Sequence, residues 1–221
     1  MNPISILRDT WFFFSRHLGT LLPLCLPWIV LESLTQQQLS LAAQSQQFAP
    51  WGMAAGLVFY PIYTASLLLY LIDFGEERRR GVSELWRAAL RLWPAFALLS
   101  ALSSLLIVIG FSLMILPGIY VMIKLAFAEV LLVKRGLRPL DAIRESFRLT
   151  NGHFFLLLTT VLVILAPTWA LQGYIEQLND EAAGYGLALN ALSGFFQLLL
   201  TVLTYRIYML GPEREQGSEQ A

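Results

Sequence analysis

The chain has 221 residues, of which 57% are hydrophobic and 14% charged, and its mean hydropathy is +0.61. That balance excludes an ordinary soluble domain, and a single cysteine, Cys25, excludes an internal disulfide and a cysteine metal cluster. The formal net charge of zero acquires meaning only when it is mapped onto the segments between apolar runs.

Residues 3–14 read as a short interfacial helix with Ile4, Leu7 and Trp11 on its apolar side, and the aromatic cluster 11–14 belongs at headgroup depth. A first crossing is expected at residues 17–34, bent by Pro23 and Pro27. It lacks a clear small-residue cleavage site, so a retained membrane helix is expected in place of a removed leader. Residues 35–50, rich in Gln, Ser and Ala, fit either an extended external loop or a helical extension. The second crossing spans 51–72 and stops at the charged residues 73–80. Residues 82–91 read as a second interfacial helix, with Val82, Leu85, Trp86 and Ala89 against Glu84, Arg87 and Arg91.

The uncharged run 92–123 is too long for one ordinary helix, so a third crossing at 92–113, a break at Pro117 and Gly118, and a fourth at 116–133 are expected. The segment 134–153 is KRGLRPLDAIRESFRLTNGH. Pro139 suits a first helical position because it has no amide hydrogen to leave unbonded. A third interfacial helix, 139–150, follows. It sets Leu140, Ile143 and Phe147 against Asp141, Arg144, Glu145 and Arg148, whose spacing allows i,i+3 ion pairs. Crossings at 154–172 and 186–210 and a polar tail complete the chain. At an offset of 57 positions Glu84, Arg87 and Arg91 fall on Asp141, Arg144 and Arg148, which suggests a parallel internal repeat. A weaker copy opens the chain around Arg8.

Arginines and lysines before the first crossing, between the second and third, between the fourth and fifth, and at the C-terminal end place both termini in the cytoplasm. The expected fold class is therefore an all-α polytopic membrane protein. It forms one membrane domain over 1–221, with six transmembrane helices and cytoplasmic interfacial amphipathic helices.

Lys124 is the most unusual residue, because a lysine halfway through a crossing costs about 2.5–3.5 kcal/mol on insertion scales. It reads either as a group for an anionic headgroup or relay, or as a lysine that snorkels or pairs with another helix. Glu129, about 140° around the same helix, is a poor partner and is expected at the cytoplasmic interface. Arg87, Arg91, Arg144 and Arg148 are candidates for anionic phospholipid, beside the plainer reading that they fix topology. Asn190 and Gln197, seven residues apart, fit either helix contacts or a cavity lining. His17 and His153 have no convergent ligands, so no metal is expected. No nucleophile, phosphate loop or cofactor motif is present, and the positive charge, interleaved with carboxylates and tied to the bilayer, does not suit nucleic acid.

The ordered set Leu116, Pro117, Gly118, Ile119, then AEVLLV at 128–133 and AIRESFRLT at 142–150, resembles the YciC family of bacterial inner-membrane proteins, also called UPF0259. The resemblance is strongest over 116–153. It implies a six-helix inner-membrane protein with a loose association with envelope maintenance, and supplies no activity or catalytic residues. The set is also similar to membrane domains attached to some glycerophosphodiester phosphodiesterases, whose activity does not carry over without their catalytic barrel. The expected function is a non-enzymatic inner-membrane protein that organises membrane lipid, with anionic phospholipid, a membrane-protein partner or a second copy as partner. The rival is a transporter or lipid-moving protein with a polar cavity around Lys124, Asn190 and Gln197. A filled core or an outward-facing lysine would count against it.

Overall fold

The computed structural model describes residues 3–42, 50–177 and 186–211. Their regular structure is entirely helical: α1 (Pro3–Ala42), α2 (Pro50–Gly75), α3 (Val82–Leu113), α4 (Ile115–Lys124), α5 (Ala128–Arg135), α6 (Pro139–Leu149), α7 (Phe154–Gln177) and α8 (Gly186–Leu210). A single 3-10 turn, Asn151–His153, joins α6 to α7. In a bilayer every backbone group must be bonded within the protein, and helices do this within their own segment. That constraint explains why apolar runs of such different composition all take one form.

Six crossings were expected, and the structure corrects this to four. Among the described residues, four helices are long and apolar enough to cross: Leu7–Gln36, Ala55–Gly75, Val82–Leu113 and Ile115–Arg135. The described apolar parts of α7 and α8 are Phe154–Val163 and Phe196–Leu210.

Two of the three expected interfacial helices are also corrected. Residues 3–14 continue without a break into α1, and residues 82–91 form the first turns of the 32-residue α3. Only 139–150 stands as a helix of its own, α6. No internal repeat is evident, because α2 is one continuous helix whereas the crossing that aligns with it is broken between α4 and α5.

Residue Met114 alone, in extended conformation, turns α3 into α4. Pro117 and Gly118, expected to break the chain, instead lie in the first turn of α4, where a proline loses no helical bond. The two helices approach so closely that a Cβ on Gly110 would stand 2.9 Å from the Gly118 Cα, so only glycine fits there.

The most enclosed crossing is α2, which packs against α1, α3, α5 and α8. Its Tyr63, Leu67, Leu68 and Leu71 join Leu21, Leu24, Phe96, Leu131 and Leu203 in a continuous core. Prolines loosen the helices on either side of that core, and α3 repairs both places. The Trp86 indole donates to the Leu24 carbonyl, three residues before Pro27, at 2.9 Å. The Trp93 indole donates to the Val58 carbonyl, three residues before Pro61, also at 2.9 Å. A proline ring crowds the carbonyls of the preceding turn, and neighbouring helices can bond the groups it disturbs. Trp86 and Trp93 are seven residues apart, so one stripe of α3 serves both.

Candidate functional site

The fourth crossing is interrupted at Leu125, Ala126 and Phe127, between α4 and α5. A break at membrane depth exposes backbone groups that need partners, and α6 supplies them. The Ser146 hydroxyl donates to the Lys124 carbonyl at 2.7 Å and accepts the Phe127 amide at 3.1 Å. The Thr150 hydroxyl donates to the Ser146 carbonyl at 2.5 Å and lies 3.4 Å from the Lys124 carbonyl. Both residues are fully buried. Gly136 lets α6 fold back to this position, since φ is +63° there and residues with side chains adopt that region at a cost.

Lys124 completes the junction. It is 2% exposed and directs its ammonium to the end of α6, bonding the Phe147 carbonyl at 3.4 Å and the Asn151 side-chain oxygen, with the Tyr120 ring 5.4 Å away. A cation at a helix C-terminus meets the negative end of the helix dipole. Pairing with another segment was one of the two expectations for this lysine, and this geometry matches it.

On α6 the buried residues are Ala142, Ile143 and Ser146, a face rotated from the expected Leu140, Ile143 and Phe147 stripe, because the break demands Ser146. Leu140 is left 57% exposed. The outer groove is lined by Arg135, Leu137, Asp141, Arg144, Glu145 and Arg148. Arg148 pairs with Glu145 at 2.7 Å, Arg135 with Glu145 at 3.5 Å and Arg144 with Asp141 at 3.9 Å, so both expected i,i+3 pairs form. Arg87 and Arg91 lie apart from this groove, exposed on α3, with the Arg87 Nε donating to the Ser83 carbonyl at 3.2 Å. Before α3, Arg80 forms a bidentate pair at 2.5 Å with the buried Asp73. These hydrogen bonds, opposed by partial burial, hold the guanidinium above its ordinary pKa.

A second constellation surrounds a cavity of about 350 Å³ bordered by α2, α3, the α4–α5 break, α7 and α8. Glu129, expected at the cytoplasmic interface, lines it, and accepts a 2.5 Å hydrogen bond from the Tyr60 hydroxyl. Gln197 also lines the cavity and bonds Tyr60. Tyr60 meets Tyr63 edge to face at 5.6 Å, and Tyr63 in turn bonds Glu32 of α1. Lys124 is not among the described lining residues, and the side chain of Asn190 lies outside the described residues. Sequence reasoning missed Glu129 because its partner is 69 positions away on another helix. The available signal was a carboxylate one residue inside a helix start, where the dipole favours negative charge.

Among the described residues no three of His, Cys, Asp and Glu converge as metal ligands. His17 instead donates its Nδ1–H to the Phe13 carbonyl, 2.8 Å away, and stacks on the Phe13 ring; the side chain of His153 lies outside the described residues.

Comparison with known proteins follows the same outline. A UPF0259 membrane protein of Sodalis glossinidius is 28% identical over 195 residues, 88% of this chain and 76% of its own length. One from Pectobacterium carotovorum is 24% identical over 160 residues, 72% of this chain and 64% of its own. One from Photorhabdus laumondii is 29% identical over 128 residues, 57% of this chain and 49% of its own. The chain thus spans from about half to three quarters of the relatives it matches. No solved structure matches it. The model of one family covers residues 29–210, from the middle of α1 to the end of α8 and including both constellations, so this multi-helix membrane chain belongs to the uncharacterised protein family UPF0259.

Proposed function

We propose that the protein is a non-enzymatic organiser of the inner membrane that holds anionic phospholipid headgroups against α6 at the cytoplasmic face. The observation that carries this reading is the fixed seat of α6. Ser146, Thr150 and Lys124 tie it to the break in a membrane-crossing helix, with its charged groove outward and Leu140 exposed beside it. Such a helix acts as an interfacial amphipathic helix whose depth is set by the protein, with an apolar side chain for the acyl boundary and arginines for phosphate.

The groove sets Arg135, Arg144 and Arg148 against the carboxylates of Asp141 and Glu145. Anionic lipid attracts each basic residue near a surface by about 1 kcal/mol. Glu145 shares its charge between Arg135 and Arg148, so a phosphate entering the groove can replace it as acceptor without drawing either side chain away from the helix. The distribution of basic segments supports a cytoplasmic side for the groove and for both chain termini.

Native mass spectrometry of protein extracted with mixed phosphatidylglycerol and phosphatidylethanolamine tests the reading. Replacing Arg144 and Arg148 by Gln together is expected to reduce phosphatidylglycerol adducts by about 2 kcal/mol, roughly thirtyfold in affinity, while phosphatidylethanolamine adducts persist. Undiminished phosphatidylglycerol adducts would remove lipid recognition from α6. A dimer retained without lipid would instead point to a second copy as the occupant.

A further inference from the structure

The Glu129 cavity has a chemical bias that the α6 groove does not share. A carboxylate among membrane helices is costly unless a counter-charge or strong donors attend it. The described residues lining this cavity include no Lys, Arg or His. The lysine nearest in sequence, Lys124, is committed to the Phe147 carbonyl and Asn151.

The hydroxyl groups of the wall are mostly acceptors. Tyr60 gives its hydrogen to Glu129. Thr201 gives its hydrogen to the Gln197 carbonyl at 3.1 Å, and Thr204 shares its own between the carbonyls of Leu200 and Thr201 at 3.1 and 3.0 Å. Each then offers lone pairs to anything in the cavity. Glu129 adds a carboxyl group that accepts from Tyr60, Gln197 donates to Tyr60, and Ser103 and Ser193 add two further hydroxyls to the wall. The rest of the wall, including Met122, Leu125, Val161, Leu165 and Phe196, is apolar.

We infer that this cavity binds a small lipophilic organic cation, with its ammonium against Glu129, Tyr60 and Thr201 and its apolar body among Met122, Val161 and Phe196. A volume of about 350 Å³ lies at the lower end of ligand-sized pockets and does not admit a whole diacyl lipid. A cation supplies the counter-charge that an ionised Glu129 lacks among the described lining residues, whereas an anion would meet like charge there. The site is separate from the α6 groove and does not rest on the lipid reading.

The test uses the full chain in nanodiscs of zwitterionic lipid, with radiolabelled benzyltrimethylammonium as probe and equilibrium dialysis as readout. Neopentylbenzene, its neutral carbon isostere, serves as competitor. Saturable binding is expected, weakened by about tenfold or more in Glu129→Gln through loss of a charge-assisted contact. Ser103→Trp, which fills the cavity from α3 and keeps the carboxylate, is expected to abolish binding. The isostere is expected to compete poorly. Non-saturable uptake, equal competition by the isostere, or undiminished binding in Ser103→Trp would overturn the proposal. If neither variant inserts stably, the contrast between probe and isostere on the native protein decides it.

Discussion

Two stretches of this chain carry nearly the same charge pattern and fold differently. Glu84, Arg87 and Arg91 open α3, which runs on as one helix to Leu113, whereas Asp141, Arg144 and Arg148 decorate α6, which stops at Leu149. The charges do not separate the two; the buried positions beneath them do. At the same spacing of 57, Ala89 stands where the later stretch has Ser146, Leu67 where it has Lys124, Trp93 where it has Thr150, and Pro94 where it has Asn151. The later stretch therefore has the hydroxyls, the ammonium and the amide that a helix break needs. The earlier one has none of them at those places, and its α2 is unbroken. A surface pattern repeats easily, whereas a buried polar network has to be complete to be tolerated.

Exchanging residues between the two stretches breaks or sharpens this contrast. The largest effect is expected from Leu67→Lys, which puts an ammonium at a fully buried place without the α6 end that receives Lys124. A loss of about 3 kcal/mol in reversible unfolding from mixed micelles is expected. A cost under 1 kcal/mol would show that the α6 junction is not what makes a lysine tolerable. Ser146→Ala strands the Phe127 amide and weakens the satisfaction of the Lys124 carbonyl, for a loss of about 2 kcal/mol by the same measurement. Ser146→Thr should recover part of it.

Lys124→Leu comes next, at about 1 kcal/mol, because the lost bonds to Phe147 and Asn151 are offset by relief from burying a charge. It is also expected to leave phosphatidylglycerol adducts unchanged, since Lys124 lies inside the junction and the groove lies outside it. Trp93→Phe keeps the ring and removes the indole donor to Val58, and about 1 kcal/mol is expected in thermal unfolding. Ala89→Ser is the mildest, at about 0.5 kcal/mol, because a helical serine can return its hydrogen to its own preceding turn.

The same contrast explains what the sequence disclosed. Apolar length and the proline at the start of α6 are local properties, so α2, the body of α3 and α6 were legible, as were the pairs Asp141–Arg144 and Glu145–Arg148. Whether a charged amphipathic stretch ends or continues depends on groups elsewhere, and the inference of three interfacial helices failed there. The face of α6 differs by one step from the expected stripe because Ser146, a polar residue, is fully buried with Ala142. From the sequence Gln197 reads as a polar member of α8 in company with Lys124 and Asn190, and the side chain of Asn190 lies outside the described residues. The cavity joins it instead to Tyr60 and Glu129, on α2 and α5, through contacts that no periodicity within one helix encodes.

The indole bonds at Leu24 and Val58 bear on the order in which the protein is built. Synthesis delivers α1 and α2 to the membrane before α3 exists, so each proline-weakened turn first meets lipid without its outside donor. Arrival of residues 86 and 93 supplies both donors from one stripe, and the first three helices then set as a unit. An arrest sequence that holds the chain just before Trp86 should leave a two-helix intermediate that is softer to protease and slower to leave the insertion machinery than one held just after Trp93.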